Sequence, residues 1–509
     1  MTPAQEQLCR DAFDEMKTIN LTCPFPLGAD DLGTILERNG IRNGSINLRQ
    51  QTATGFSQAG MIALASLAKT FRPSQSLNSY RASNATLAKL LAAHVMDQWI
   101  DRASSTLTQP DFAQLQTAVD RWFASLTQVR EHVVPCTLFP YPNTSFAIGP
   151  VIFRHVSELP TEGFCVSREE FWPPQPPPSP PWKQWLQDVW AAIRKKQTVC
   201  RETGGLLFSS LIQFATARNA PWMAFVKVAG RPDNESIRAA DIATDIALAV
   251  IQLVSPGDDM RSISRATARA TPVWRVDVSR VENGGFGTGS RNQVPALARS
   301  HELIERHIKQ IEPALQSMGQ RLSAFLDATS PVPDLDEAWC NAAYWYHEAL
   351  AETLDTVAVA KLETAIEVLF RAENMSGSKR RLHESFDVFF GLSCSKPIVP
   401  NGTVTVEQFA EAITTARSRV LHGTWPTLQF DLPANKSNQT VSYNDVEFLT
   451  RTLLVCFSAH LDEYIAAGNP TDTTDAFFAW IKAERAAHGG GAAAAPDNSG
   501  AGNPHRPGS

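Results

Sequence analysis

Apolar side chains recur at three- and four-residue spacing in Met61–Ala68 and again in Leu87–Ile100, which predicts amphipathic helices within a mainly helical first 125 residues. Patches rich in Asn, Gln and Ser separate them and predict exposed connections. Near residue 131 the pattern changes. His132–Phe139 and Gly149–Val156 read as strands bounded by Pro, Asn and Gly. Two further strands, Trp222–Val228 and Val273–Val281, bracket a helix predicted over Ala239–Val254. Pro173–Pro181, flanked by Trp172 and Trp182, cannot be helix or central strand and predicts an extended polyproline segment, read as a stiff loop rather than a docking motif. A helix over Trp182–Thr198 is predicted to follow.

After Pro295 helical spacing takes over: Ala296–Phe325, a break at Pro331–Asp334, and a helix capped by Asp334 or Asp336 that carries Trp339, Tyr344, Trp345 and Tyr346. Helices near 355–373, 378–392, 406–422 and 442–468 complete the series. From Gly489 the tail is Gly, Ala, Pro, Asn and Ser and is predicted to be disordered. No repeat of fixed period is present. The pattern implies an α+β multidomain chain: a mainly helical N-terminal region (1–125), a mixed α/β domain with the Pro-rich loop 173–181 (126–295), an all-α helical bundle (296–470) and a disordered tail (487–509). At 509 residues the chain exceeds the size at which one core keeps growing, which agrees with several domains.

Charge narrows the functional classes. With 46 Lys plus Arg against 52 Asp plus Glu, the net charge is −6, so any site for nucleic acid must be a local basic patch. The eight cysteines lie apart, with no Cys-x-x-Cys and no close His partners, which predicts reduced thiols and no zinc cluster. Ala239–Val254, the most apolar long run, contains Asp241 and Asp245 and falls short of the ~20 residues of a membrane span. Met1–Glu15 lacks the basic start and apolar centre of a secretory signal, and a cytoplasmic protein with no membrane partner is expected. His301-Glu302-Leu303-Ile304-Glu305-Arg306-His307 fails the zinc-protease pattern, because its histidines stand six positions apart instead of four. Asn283–Arg291 is glycine-rich but lacks the Gly-Lys-Ser/Thr ending of a phosphate loop, and reads as a flexible hairpin or interdomain loop. No metal and no nucleotide cofactor is expected.

The remaining candidate is Arg417-Ser418-Arg419-Val420-Leu421-His422-Gly423, at the end of a predicted helix. Metal-free RNA cleavage needs a group that moves protons near neutrality and a group that holds the charge developing on the phosphate. Histidine suits the first task and the fork-shaped guanidinium the second. Five positions place Arg417 and His422 about 140° apart around an ideal helix, so Arg419, three positions before His422, lies closer to it.

Upstream stand Ala365-Ile366-Glu367-Val368-Leu369, the turn Asn374–Ser378, and Lys379-Arg380-Arg381 leading to Phe389, Phe390 and Gly391. This order, followed by Arg-x4-His-Gly, resembles the Apea-like branch of the HEPN domains over about residues 330–468. The family's position after the arginine is often Asn, Asp or His, and here it is Ser418. The resemblance implies a helical bundle, a homodimer in which two copies of the site meet, and a metal-independent endoribonuclease with an RNA substrate, in an antiphage or toxin-like role answering a phage or host trigger. It also implies Arg417 and His422 as the catalytic pair and Glu367 as an auxiliary; Ser418 and Arg419 on the same turn are further auxiliary candidates, and the charges of Lys379, Arg380 and Arg381 make them candidate RNA contacts that track a phosphate backbone, unless they form a solvated helix start. Glu367 would orient Arg417 or His422, unless it pairs with Arg371 at i, i+4. The rival expectation is a catalytically inactive HEPN module that binds RNA, a nucleotide or a protein partner as a dimeric scaffold.

Overall fold

Short capped helices build the N-terminal part of the chain. In the computed structural model, residues 1–21, 29–42, 46–49, 52–71, 82–100, 107–139, 144–156, 211, 213–215, 217–218, 220–255, 258–268, 274–280, 284–292, 300–327, 329–399, 402–426, 431–436, 438–468 and 471–487 are described. Pro173–Pro181, the helix expected over 182–198 and the tail 488–509 lie outside them. The fold is α+β, with helices predominating and small sheets between them.

Two compact units are present: Met1–Glu131 with Lys227–Ala239, and His132–Val226 with Ala240–Ser509. The first contains α1 (Pro3–Asp14), β1 (Met16–Asn20), α2 (Ala29–Arg38), β2 (Asn47–Arg49), β3 (Thr52–Phe56), α3 (Gln58–Phe71), α4 (Asn84–Trp99) and α5 (Gln109–Ser125). A capping box between Thr2 and Gln5 starts α1, and Ser83 caps α4. Trp99 meets Phe13 and Phe112 edge-on at 6.0 and 6.1 Å, at the centre of this unit's core. The region is mainly helical, as expected, and also contains a small antiparallel sheet, ordered β1-β3-β2. Strands of three to five residues are too short for alternation to reveal.

The second unit holds most of a five-stranded sheet ordered β5-β6-β7-β4-β8, from β4 (Arg130–Thr137), β5 (Phe146–Ile148), β6 (Val151–His155), β7 (Trp222–Val228) and β8 (Ser264–Arg265). The helix α6 (Asp233–Val254) follows β7. β9 (Trp274–Arg280) and β10 (Phe286–Asn292) form a separate antiparallel ribbon in which Arg280 faces Phe286. The helices α7 (His301–Asp327), α8 (Pro333–Leu350), α9 (Asp355–Leu369), α10 (Met375–Ser385), α11 (Val406–Leu421), α12 (Tyr443–Ala466) and α13 (Thr474–Ala487) complete it.

No division between compact units falls near residue 295. Gly149, in the β5–β6 turn at φ +54°, lies so close to Gly319 of α7 that a Cβ would sit 2.2 Å from the Gly319 carbonyl oxygen. Arg261 donates to the carbonyls of Leu350 and Glu352. His347 of α8 meets Gln252 of α6 at 2.8 Å, and Gln252 Nε2 donates to Met260 O at 2.7 Å. The sheet region and the C-terminal helices therefore share one body. Within it Trp339 is fully buried, and its Nε1–H donates to Leu454 O at 2.9 Å.

The start of α8 differs from the sequence expectation. Neither Asp334 nor Asp336 caps it: the Asp472 carboxylate accepts the N–H of Asp334 at 2.7 Å and of Leu335 at 2.9 Å. Asp334 is turned to Arg371, and Asp336 is buried against Arg321. Among the described residues, no helix is long and apolar enough to cross a membrane.

Candidate active site

The helix α11 forms because Thr405 and Gln408 close a capping box at its start and because Phe409, Ile413 and Ala416 recur at helical spacing and are buried. It stops at His422, whose N–H reaches Ser418 O at 3.0 Å. Gly423 follows at φ +66°, with open space where a Cβ would stand, and Thr424 N–H closes on Arg419 O at 3.0 Å.

Arg417 reaches back to α9. Its Nη1 donates to Glu367 Oε1 at 3.0 Å and its Nη2 lies 2.6 Å from Glu367 Oε2, a two-pronged pair. Its Nε lies 2.9 Å from Glu363 Oε2, yet both atoms are buried and neither makes a hydrogen bond in the described structure. The other oxygen of Glu363 accepts from Ser378 Oγ of α10 at 3.0 Å. The Glu363 side chain is 1% exposed, against 12% for Glu367 and 23% for Arg417. Burial, and then the neighbouring Glu367, push the Glu363 carboxyl up to about 7 against the pull of Arg417 and Ser378. Burial raises Glu367 as well, opposed by Arg417. One guanidinium thus serves two carboxylates one helical turn apart.

Of the three partners open to Glu367, the structure selects Arg417. Arg371 has left the helix with φ +53° and pairs with Asp334 at 2.8 Å. His422 is exposed at the helix end, and its imidazole makes no hydrogen bond among the described residues. No hydrogen bond or ion pair joins it to Arg417. Arg419 is exposed and Ser418 half-buried on the same turn. The basic trio on α10 is not uniform: Arg381 is held by Glu384 at 2.8 Å and Asp475 at 2.6 Å, and Arg380 stands 3.8 Å from Glu384. Lys379 is half-buried without an ion pair among the described residues.

Glu363 and Ser378 were not singled out in the sequence. The available signal was an acid inside an apolar stripe, since Val359, Glu363 and Ile366 fall on the buried face of α9. His301 and His307 have separate partners, Glu305 at 3.8 Å and the hydroxyl of Ser255. Comparison of the chain with protein-family models, with curated proteins and with solved structures finds no match.

Proposed function

We propose that the chain is a metal-independent endoribonuclease of HEPN type, acting as a cytoplasmic homodimer in antiphage or toxin-like defence, with its N-terminal regions sensing a phage or host trigger or restraining the nuclease. The observation that carries the reading is the end of α11: an exposed imidazole at the helix terminus, five residues after an arginine anchored on a core helix. In this reading the ribose 2′-oxygen attacks the adjacent phosphorus and the 5′-oxygen leaves. An imidazole takes the 2′-hydroxyl proton or returns one to the leaving oxygen, giving 2′,3′-cyclic phosphate and 5′-hydroxyl ends. Arg417 would stabilise the charge on the non-bridging oxygens, through the one N–H on each Nη that points away from Glu367. Arg419 and Lys379 extend the phosphate contacts, with Arg380 and Arg381 contributing less because acids already hold them. A two-fold dimer would place two copies of His422 near one groove, so acid and base can be different protomers' histidines.

A second reading has an observation in its favour. Arg417 already faces two carboxylates, which fits a catalytically inactive HEPN module that binds RNA, a nucleotide or a protein partner as a dimeric scaffold. Expressing the wild type beside His422→Ala, with and without phage challenge, separates the two. Removal of a general acid or base typically costs about 10²- to 10⁴-fold in rate, so RNA breakage and growth arrest should largely vanish in the variant. Equal behaviour of the two, with the variant folded and dimeric, would leave the binding module as the function. Cleavage by purified protein in EDTA, with cyclic-phosphate ends, is the matching result in vitro.

A further inference from the structure

We propose that Glu363 is a proton-operated positioning residue for Arg417. When its carboxyl is neutral, the guanidinium is held by Glu367 alone and can take a phosphate; when it is ionised, two anions hold the guanidinium and repel the phosphate. This rests on the reading of Arg417 as the phosphate-binding group and adds a proton to that binding step.

The geometry says which of the two acids is spare. Glu367 commits both oxygens to Arg417, whereas Glu363 offers one, at an angle that leaves Oε2 and Nε each without a hydrogen bond. A fully charged trio would carry a net negative charge beside a side chain that is 1% exposed, a costly arrangement in a poorly solvated place. Protonation at Oε2 removes that charge while Ser378 still donates to Oε1 at 3.0 Å. The groups that face Glu363 are Glu367 from its own helix, Arg417 from α11 and Ser378 from α10. Among the described residues, α8 and α12, which also pack on α9, add no charged group to this set. An arriving phosphate replaces the Glu363 carboxylate as the second anion on Arg417, and Glu363 takes one proton from solvent. Charge balances: one anionic group enters and one is neutralised.

The test uses the full-length protein and a 2′-O-methylated oligouridylate, which lacks the attacking hydroxyl and so reports binding alone. Calorimetric titration at slightly alkaline pH, in two buffers of different ionisation enthalpy, counts the protons taken up. Close to one proton per site is expected for the wild type and close to none for Glu363→Gln. Wild-type affinity should also weaken by up to about tenfold per pH unit above 7, the limit for a one-proton linkage, while that of the variant stays flat. Binding without proton uptake, with the same pH profile in both proteins, would overturn this inference and leave the proposed function standing. No binding at any pH, or unaltered binding in Arg417→Ala, would overturn both. If Glu363→Gln does not fold, the proton count is taken in His422→Ala, which keeps Glu363 and removes the imidazole: close to one proton per site supports the inference and none overturns it.

Discussion

Arg265 and Arg417 each take two carboxylates spaced i, i+4 on one helix, and the two clusters are satisfied in opposite order. Arg265 gives its two-pronged contact to the buried acid: Nε to Asp245 Oδ1 at 2.7 Å and Nη2 to Asp245 Oδ2 at 2.9 Å, with Asp245 1% exposed. The exposed acid, Asp241, receives a single contact at 3.2 Å. Arg417 gives its two-pronged contact to the more exposed Glu367 and leaves the buried Glu363 with the poor one. At α6 the buried charge is compensated and the pair is a fixed clamp; at α9 it is not, and the buried acid is the member that a proton can neutralise. His347 adds to the contrast. Because Gln252 donates to Met260 O, its amide oxygen faces His347 Nδ1, which then carries the ring proton. Burial lowers the His347 pKa and keeps the ring neutral, so Nε2 faces Asp245 at 3.7 Å without joining the ion pair.

The largest effect should come from breaking the clamp. Arg265→Met strands Asp245 in the interior, and loss of one partner of a buried pair costs about 3–5 kcal/mol, read as a drop in the urea midpoint. A loss below about 1 kcal/mol would mean that the buried Asp245 does not depend on Arg265 for its place in the fold, and the contrast would disappear. The Glu363→Gln variant sharpens it from the other side. The folded-state value of Glu363 is raised from the ordinary 4.5 to about 7, so the fold binds a proton that the unfolded chain has released. Its stabilising contribution is therefore complete below pH ~4.5 and is lost as pH rises through about 7. Unfolding curves between pH 5 and 8 should show the wild type losing on the order of a few kcal/mol relative to Glu363→Gln. Parallel curves would show Glu363 to be ionised throughout.

Much of the C-terminal helix series was legible, because sustained spacing and good caps mark it: α11 and α12 run over Val406–Leu421 and Tyr443–Ala466, within two residues of expectation. The helix α13 is obscured by the low-complexity tail that follows it, although Phe477, Phe478 and Ile481 have helical spacing and are buried. The cap of α8 was not legible at all, since the capping carboxylate comes from Asp472, 138 residues after Asp334. The site shows the same limit. Spacing marks Arg417 and His422 as candidates and the family resemblance adds Glu367, but spacing along α9 offers Arg371 to Glu367 as readily as tertiary packing offers Arg417. The choice was made by the backbone of Arg371, which turns left-handed and sends its side chain to Asp334. Glu363 was hidden because an acid on a helix is normally a solvated one.

The smallest effect should be that of Asp241→Asn. Asp241 is 38% exposed and takes only the third contact of Arg265, so its removal leaves both prongs on Asp245 intact. Exposed pairs of this kind contribute about 0.2–1 kcal/mol, and that contribution is screened by salt. The denaturation midpoint of Asp241→Asn should fall slightly at low ionic strength and converge on the wild-type value near 1 M salt. The site on α9 supplies the inverse control, because there the less buried acid holds both prongs: Glu367→Gln should cost more than Asp241→Asn and should lower the Glu363 titration toward the ordinary range, by removing a neighbouring negative charge and handing Arg417 to Glu363. If Asp241 and Glu367 prove equally dispensable, the number of prongs does not decide which carboxylate keeps its charge, and the two arginine clusters are energetically alike despite their geometry.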